Sequence, residues 1–341
     1  MLRMVLSQEE WGAAWMATDI ESTEGMRSTD LATLTGVLRV CDLELTLLDG
    51  GNPRVALESR VHDGALFLSA RTGFRFRGRF MLPLDWCMVG FVQSTDPAKS
   101  WCHGTPLSSG LALTVLAEGI SEFVLSENSH VLLVLMPVRR LQRRFTELSL
   151  REGLPPSRAL SLFRTEGGGW GERLRMHCEG LARRVVDGRL LDDEVEALLE
   201  QHIQAALAAS TRERPVCPRA HHSHYLIVQR AEAFMRQHMR RDIYLQELCT
   251  AAGVSERALR YAFEHMLGLS PTRYLSMLRL CAACRSLSMA DGARRTVKAI
   301  ALACGLWDLS RFADNYRRVF GELPSETLMR HPPHDEGASL N

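Results

Sequence analysis

Two short segments of the same build, about 50 residues apart, constrain the fold of this chain more than any other feature. The first, Tyr244–Gly268, reads YLQELCTAAGVSERALRYAFEHMLG. Apolar residues at spacings of three and four predict a helix, Gly253 permits a tight turn, and Ser255 suits the N-cap of a second helix. Leu259 and Phe263, four apart, would face the interior of that second helix. The pattern is that of a helix-turn-helix.

The second segment, Thr296–Gly321, repeats this order as TVKAIALACGLWDLSRFADNYRRVFG. Thr296 would cap its first helix, Gly305 would supply the turn, and Asp308 would cap its second helix. Between the two segments, Pro271–Met289 predicts a helix with proline near its first position. We therefore predict an all-α C-terminal domain in which a linker helix joins two helix-turn-helix motifs.

These residues resemble the AraC/XylS family of bacterial transcription regulators, in order and spacing, over about 100 residues. The resemblance is carried by Ala252-Gly253-Val254-Ser255, Arg257, Leu259, Phe263, Gly268, Ser270-Pro271, Tyr274-Leu275, Arg279-Leu280, Ala283, Leu287, Ile300-Ala301, Cys304-Gly305, Ser310, Phe312, Tyr316, Arg318, Phe320-Gly321 and Pro324-Ser325. It implies a regulator whose two motifs bind successive major grooves of double-stranded DNA. It also favours an activator that contacts RNA polymerase beside a promoter.

The resemblance assigns DNA-contacting roles to two sets of residues. The side chains expected to face bases are Arg257, Arg260, Tyr261, Leu309, Ser310, Arg311 and Asp314. Those expected at phosphates are Ser255, Arg273, Arg295, Thr296, Lys298, Arg317 and Arg318. Arginine suits base reading because its fork matches guanine O6 and N7. Phosphate contacts add affinity and salt dependence without sequence information.

Two positions depart from the family pattern. Many members carry a basic residue where this chain has Asp314, and an acid there either accepts from cytosine N4 or weakens the second motif. Many members also carry arginine where this chain has Cys284, so an internal ion pair of the family is expected to be missing. Both departures affect the details of DNA contact and leave the predicted fold unchanged.

Charge is distributed unevenly along the 341 residues, whose formal net charge is only +1. Residues 223–334 carry 16 Lys and Arg against 10 Asp and Glu, whereas residues 1–222 have a net charge of −3. A basic C-terminal block suits an anionic partner. A solvated surface without any partner would carry a similar charge.

The N-terminal part is strand-rich in pattern, with short β-prone runs between turn residues. We predict an α+β multidomain chain: a cupin-like sensory barrel over 1–140, a helical dimerisation or packing region over 141–209, a linker over 210–225, an AraC-type DNA-binding domain over 226–331 and a flexible tail over 332–341. The cupin-like assignment is a second, weaker resemblance, based on composition and position.

The signal that the N-terminal part receives is left open by the sequence. A lined cavity in the barrel would favour a small-molecule effector, whereas a closed, fully packed barrel would favour control by a partner protein. The apolar stripe of the helices in 171–209 would cover either a second copy, as a homodimer interface, or the barrel of its own chain. Arg75, Arg77 and Arg79 alternate on one face of a strand, which either meets solvent or receives an anionic ligand.

No enzyme, metal site or cofactor is predicted. The barrel region lacks an H-x-H pair, and neither a nucleophile elbow nor a phosphate-binding loop occurs. Cys281 and Cys284 are interpreted as small core residues rather than a redox pair. The group Cys217, His221, His222 and His224 lies in the predicted linker, where adventitious zinc binding is the alternative to a plain polar segment.

The predicted compartment is the cytoplasm. Nine cysteines, an odd number spread along the chain, favour free thiols in a reducing environment. The N-terminal residues lack the long apolar run of a secretory signal. Apolar stretches reach about 8 to 11 residues, against roughly 20 for a membrane span, so no membrane partner is expected.

Overall fold

A computed structural model describes residues 27–30, 41, 43–49, 54–117, 119–148, 162–165, 169–209, 214–290 and 295–329. The predicted tail over 332–341 lies outside these residues. None of the helices in the described ranges combines the length and apolar character that crossing a bilayer requires.

Twelve strands occur in the described residues and form two antiparallel sheets, and all but the last of them precede the first described helix. They are β1 (Arg27–Asp30), β2 (Glu44–Leu47), β3 (Arg54–His62), β4 (Ala65–Thr72), β5 (Phe76–Met81), β6 (Trp86–Ser94), β7 (Trp101–Cys102), β8 (Thr105–Pro106), β9 (Leu111–Leu116), β10 (Ile120–Leu125), β11 (His130–Pro137) and β12 (Leu162–Arg164). One sheet has the order β1-β3-β4-β11-β6-β9-β12, and the other has the order β2-β5-β10-β7-β8.

The two sheets face each other around an apolar interior. A cavity of about 130 Å³ lies there, lined by side chains of both sheets that include Leu45, Leu68, Phe76, Phe80 and Phe123. Paired β5 and β10 keep their register from Phe76 opposite Leu125 to Met81 opposite Ile120. Each strand therefore turns alternate side chains towards the cavity and away from it.

Three helices cover the outer face of the seven-stranded sheet: α1 (Val138–Leu148), α2 (Gly169–Asp187) and α3 (Glu194–Ala208). The first of the two helices in 171–209 ends at Asp187, and the second begins at Glu194. Buried residues of all three helices share one apolar cluster with the outward residues of the sheet, among them Leu181, Leu198 and Phe67. The apolar stripe of these helices thus packs on the seven-stranded sheet of its own chain.

Seven helices follow in the described residues, and some of them contact the outer face of the five-stranded sheet. They are α4 (Arg219–Gln237), α5 (Leu245–Ala252), α6 (Glu256–Leu267), α7 (Pro271–Ser288), α8 (Val297–Ala303), α9 (Leu309–Phe320) and α10 (Pro324–Met329). A single apolar cluster joins the barrel interior to the buried faces of α4 to α9. The predicted all-α C-terminal part is therefore present, but it is in direct contact with the sheets.

The linker predicted over 210–225 ends earlier than expected. Residues 219–225 already belong to α4, and Pro218 stands at its N-cap with φ −58°. Proline is tolerated at a helix start because the N–H that it lacks has no partner within the helix. The predicted linker therefore includes the first turns of a helix.

Candidate nucleic-acid interface

The first helix pair, α5 and α6, has the capping chemistry that the sequence predicts. Gly253 ends α5 with φ +70°, in the left-handed region that favours glycine. The Ser255 side chain accepts a hydrogen bond from the Ala258 N–H at 3.3 Å and so caps α6. Leu259 and Phe263 are fully buried, as predicted. Residue chemistry close in sequence thus determines the turn between the helices.

The exposed face of α6 carries the three side chains predicted to face bases. Arg257, Arg260 and Tyr261 are all exposed, with 61% of the Tyr261 surface open to solvent. Arg260 Nη2 makes an ion pair with Glu256 Oε1 at 2.8 Å, one turn earlier. An arginine that leaves such an exposed pair gives up about 0.5 kcal/mol, which a guanine contact readily offsets.

The second helix pair, α8 and α9, repeats the arrangement. Thr296 accepts from the Ala299 N–H at 3.2 Å, and Asp308 accepts from the Arg311 N–H at 3.0 Å, so both predicted caps are confirmed. Gly305 adopts φ +74°, and a Cβ there would lie 2.1 Å from the carbonyl oxygen of Met239. This turn therefore requires glycine both for its backbone angle and for space.

The side chains predicted at bases in α9 lie at its N-terminal half. Ser310, Arg311 and Asp314 are exposed, and Leu309 is half-buried. Phe312 and Tyr316 occupy the opposite, buried face. The helix thus presents a polar surface with the mixed charge of Arg311 and Asp314.

The residues predicted at phosphates are all on the surface. Arg273, Arg295, Lys298, Arg317 and Arg318 are exposed, as are the caps Ser255 and Thr296. Arg318 Nη2 donates to Asn315 Oδ1 at 2.6 Å. The helix between the two pairs, α7, is mostly buried, including Tyr274 and Leu278. It occupies the position of the predicted linker helix.

Sequence reasoning missed the groups that hold the end of α6. Arg75 Nη1 donates to the Leu267 carbonyl at 2.9 Å and its Nη2 donates to the Met266 carbonyl at 3.1 Å. The Trp101 indole N–H also donates to Met266 O at 3.1 Å. These carbonyls lack partners within the helix, and cations are favoured at this end. Two side chains of the barrel thus cap the C-terminus of α6.

The arginine run of β5 is therefore neither solvent-exposed nor an open anion site, and both interpretations of the sequence were wrong. Arg77 is 1% exposed and its Nη2 lies 3.0 Å from Glu122 Oε2 and 2.6 Å from Glu232 Oε2. Arg79 Nε lies 3.0 Å from Glu122 Oε1. The correct prediction was that alternate arginines share a strand face. The C-terminal helices, far along the chain, cover that face.

This ion network extends across the junction between the two parts. Arg236 of α4 contacts Glu232 at 2.8 Å and also pairs with Glu44 of β2. Burial would raise the pKa of Glu232, but the charges of Arg77 and Arg236 outweigh it and hold that pKa below its usual value. Glu232 therefore stays ionised although its side chain is buried.

The predicted linker group is tied to the barrel. The Cys217 thiol donates to the Gly104 carbonyl at 2.9 Å, and His221 Nδ1 also contacts that oxygen. The rings of His224 and His265 have centroids 4.9 Å apart. Across the described ranges, no three His, Cys, Asp or Glu side chains are arranged to hold a metal ion. The group anchors the start of α4 to the turn between β7 and β8.

The C-x-x-C pair of α7 is buried, as predicted. Burial raises the pKa of the Cys281 thiol to about 12, so it stays protonated at neutral pH. Cys281 Sγ accepts the backbone N–H of Leu47 at 3.4 Å. The Cys284 side chain belongs to the same apolar cluster. Both are core residues, and Cys281 is also a contact to β2.

One exposed aromatic side chain escaped the sequence analysis. Trp307 directly precedes the cap Asp308 and is 56% exposed. It therefore lies at the same end of α9 as Ser310 and Arg311. A tryptophan at a polar turn position, between an apolar residue and an N-cap, is the signal that would have found it.

Residues 248–330 match the helix-turn-helix domain family. The resemblance of this region to the AraC/XylS family of transcription regulators is thereby confirmed.

Curated relatives match the same region. XylDLEGF operon transcriptional activator 1 of Pseudomonas putida is 37% identical over 102 residues, which cover 30% of this chain and 31% of that protein. XylDLEGF operon transcriptional activator 2, also of Pseudomonas putida, is 36% identical over 103 residues, which cover 30% of this chain and 66% of that protein. The chain thus spans about a third of the length of the first of these relatives.

Solved structures also match. A "probable AraC family transcriptional regulator" from Rhodopseudomonas palustris CGA009 is 40% identical, covers 31% of this chain and 98% of that one, and has a TM-score of 0.29. The matches to the curated activators and to this structure each cover about a third of the chain.

Proposed function

We propose that this chain is a sequence-specific DNA-binding transcription regulator that uses α6 and α9 as its two recognition helices. The observation that carries the proposal is the repeated helix pair, each with a capped second helix and an exposed polar face, inside a region that matches the helix-turn-helix family. A helix of this kind fits the major groove and places its N-terminal residues at base edges.

In this proposal the DNA contacts divide into two sets. Arg257, Arg260 and Tyr261 of α6 read one major-groove segment, and the N-terminal half of α9 reads another. Asp314 in α9 accepts from cytosine N4. The exposed cations at Arg273, Arg295, Lys298, Arg317 and Arg318, with the caps Ser255 and Thr296, bind phosphates. The two helix pairs would give a DNA motif in two parts.

Selection of bound duplexes from a random library, using the full chain, tests this proposal. A two-part motif is expected. Arg257→Ala should then relax preference at one base position and weaken binding to the selected site by about 1–3 kcal/mol. Arg317→Ala should weaken binding to all sequences alike and reduce the salt slope by about one.

The matched control is Arg71→Ala, at an exposed arginine on the seven-stranded sheet. It should bind like the wild-type chain. Equal loss on selected and random DNA for Arg257→Ala would make that residue a phosphate contact. Failure to enrich any sequence from the library would contradict the proposed function itself.

We further propose that the N-terminal part, a cupin-like barrel over 1–140, senses a signal. Two facing sheets around an apolar cavity of about 130 Å³ support a small-molecule effector over control by a partner protein, for which a filled interior would be expected. The packing of α2 and α3 on their own sheet supports a structural role for 141–209 over a homodimer interface.

Activation is the proposed direction of control, since both curated relatives named above are transcriptional activators. An activator of this kind acts in the cytoplasm and contacts RNA polymerase beside its binding site. Fusion of a target promoter to a reporter gene tests the direction, because an activator raises expression when the chain is present. Lower expression in its presence would make it a repressor.

A further inference from the structure

The five-stranded sheet is a single layer that separates the cavity from the C-terminal helices, and it is called the wall below. On β5, Phe76 and Phe80 line the cavity. The residues between and beside them, Arg75, Arg77 and Arg79, face away and contact the helical part or Glu122. Strand alternation thus places the cavity lining and the contacts with the helices on opposite faces of the same strand.

Two further strands of the wall divide their side chains in the same way. On β7, Cys102 lines the cavity while Trp101 donates to the Met266 carbonyl of α6. On β10, Phe123 lines the cavity while Glu122 accepts from Arg77 and from the Tyr225 hydroxyl of α4, the latter at 3.1 Å. A displacement of any of these strands moves both faces together.

Arg75 and Trp101 of the outer face contact the C-terminal end of α6, whereas Arg77 and Glu122 contact α4. Arg75 and Trp101 supply three hydrogen bonds to the carbonyls of Met266 and Leu267. They leave the N-terminal half of α6, with Arg257 and Arg260, exposed. The wall therefore bonds the C-terminal end of the proposed recognition helix and does not cover the residues proposed to read DNA.

The chemistry of the cavity restricts what it can hold. None of the described residues that line it is charged. The lining is hydrocarbon or thioether except for the hydroxyls of Thr72 and Ser121 and the thiols of Cys41 and Cys102. A carboxylate or phosphate would lose its hydration without a cation to replace it. A dry cavity of about 150 Å³ is large enough to bind benzene. The volume of about 130 Å³ here is close to that size.

We propose that an uncharged apolar molecule of about one benzene ring occupies this cavity, and that the wall transmits its occupancy to α6 through Arg75 and Trp101. This inference rests on the proposed function of the N-terminal part as a sensor. Cavity-lining atoms lack partners on one side, and a ligand supplies those contacts. Phe76, Phe80 and Cys102 are thereby held in place, and the outward residues of the same strands hold the end of α6 more firmly.

The test uses the full chain with benzene as the probe and benzoate as its charged counterpart. Benzene should raise the melting temperature and slow hydrogen exchange of amides in residues 264–270 by about fivefold or more, the lower end of coupling between protein sites. Benzoate at the same concentration should do neither. An equal response to both probes, or no response to benzene, would overturn the ligand class.

Three variants separate the two halves of the inference. Ala70→Leu fills part of the cavity from β4, outside the wall, and should abolish the benzene response. Arg75→Met should keep the rise in melting temperature and lose the slowing in residues 264–270. Trp101→Phe removes one donor and keeps an aromatic ring, so it should reduce that slowing if Arg75→Met does not fold. Undiminished slowing in the Arg75 or Trp101 variant would overturn the transmission route.

The same samples distinguish this inference from the proposed function. DNA selection is carried out without benzene. A chain that selects a two-part motif and does not respond to benzene retains the proposed DNA-binding function and contradicts the inference. A chain that responds to benzene as expected but selects no DNA sequence contradicts the proposed function, and with it the regulatory meaning of the cavity.

Discussion

Replacement of Arg77 by methionine should destabilise the chain strongly, and more so at neutral than at acid pH. Arg77 is 1% exposed and contacts the carboxylates of Glu122 and Glu232. Loss of one partner of a buried ion pair costs about 3–5 kcal/mol. Glu122 keeps Arg79 at 3.0 Å and Glu232 keeps Arg236 at 2.8 Å, so we expect about 3 kcal/mol, the lower end of that range.

The pH dependence follows from Glu232. In the wild-type chain its pKa is lowered, so its contribution to stability is present above the unfolded value and is lost as the pH falls through the folded value. Without Arg77, only the charges of Arg236 and Arg79 oppose the burial of Glu232, so its pKa is higher than in the wild-type chain and the ionised carboxylate is less stabilised. The stability difference between wild type and Arg77→Met should therefore narrow as the pH falls towards the folded pKa of Glu232.

Urea unfolding followed by circular dichroism measures both quantities, with free energies compared at unchanged m. Arg71→Met, at an exposed arginine, is the control and should change stability by less than about 0.5 kcal/mol. The double variant Arg77→Met with Glu232→Gln should recover at least half of the loss, because no uncompensated charge remains on Glu232. A loss below about 1 kcal/mol at pH 7, or one independent of pH, would refute the reasoning.

Two further predictions concern local structure. Gly305→Ala should destabilise the chain by well over the roughly 1–2 kcal/mol that a left-handed backbone costs an alanine, because the new Cβ would meet the Met239 carbonyl. Gly253→Ala, at φ +70° and with open space around the new Cβ, should cost only about 1–2 kcal/mol. Equal urea midpoints for the two variants would contradict this. His202 is buried beside Thr114, and burial lowers its pKa to about 3. The free energy of unfolding therefore decreases as the pH falls, because the imidazole takes up a proton more readily in the unfolded chain than in the folded one. His202→Gln should flatten the stability profile by about 1.4 kcal/mol per pH unit between about pH 6 and pH 4, and an unchanged slope would count against a neutral buried histidine.

The C-terminal helices could be predicted from the sequence because their determinants are local. A cap such as Ser255 or Asp308 bonds an N–H three residues away, and the turn at Gly253 depends on one backbone angle. Spacings of three and four identified the buried faces, including Leu259 and Phe263. The predicted DNA-facing residues are on the surface for the same reason, while their contacts to DNA stay a prediction.

The junction between sheet and helices could not be predicted, because its contacts join residues far apart in the chain. Arg75 bonds carbonyls 191 and 192 residues away. Alternation correctly placed Arg75, Arg77 and Arg79 on one face, but periodicity does not identify what covers that face. Glu232 gives no signal either, since a glutamate in a helix normally lies on the surface. Only the fold brings its charge to Arg77.

The buried pairing of Arg77 with Glu232 also has a consequence for protein engineering. A DNA-binding module cut from this chain and grafted onto another sensor would carry α4 with Glu232 but leave Arg77 behind. The graft would place an ionised carboxylate against whatever surface the new sensor offers. Chimeric regulators built from this chain therefore need either a guanidinium at the matching place in the new sensor or glutamine at position 232. A cut between the two parts of this sequence therefore separates the two charges of a buried ion pair.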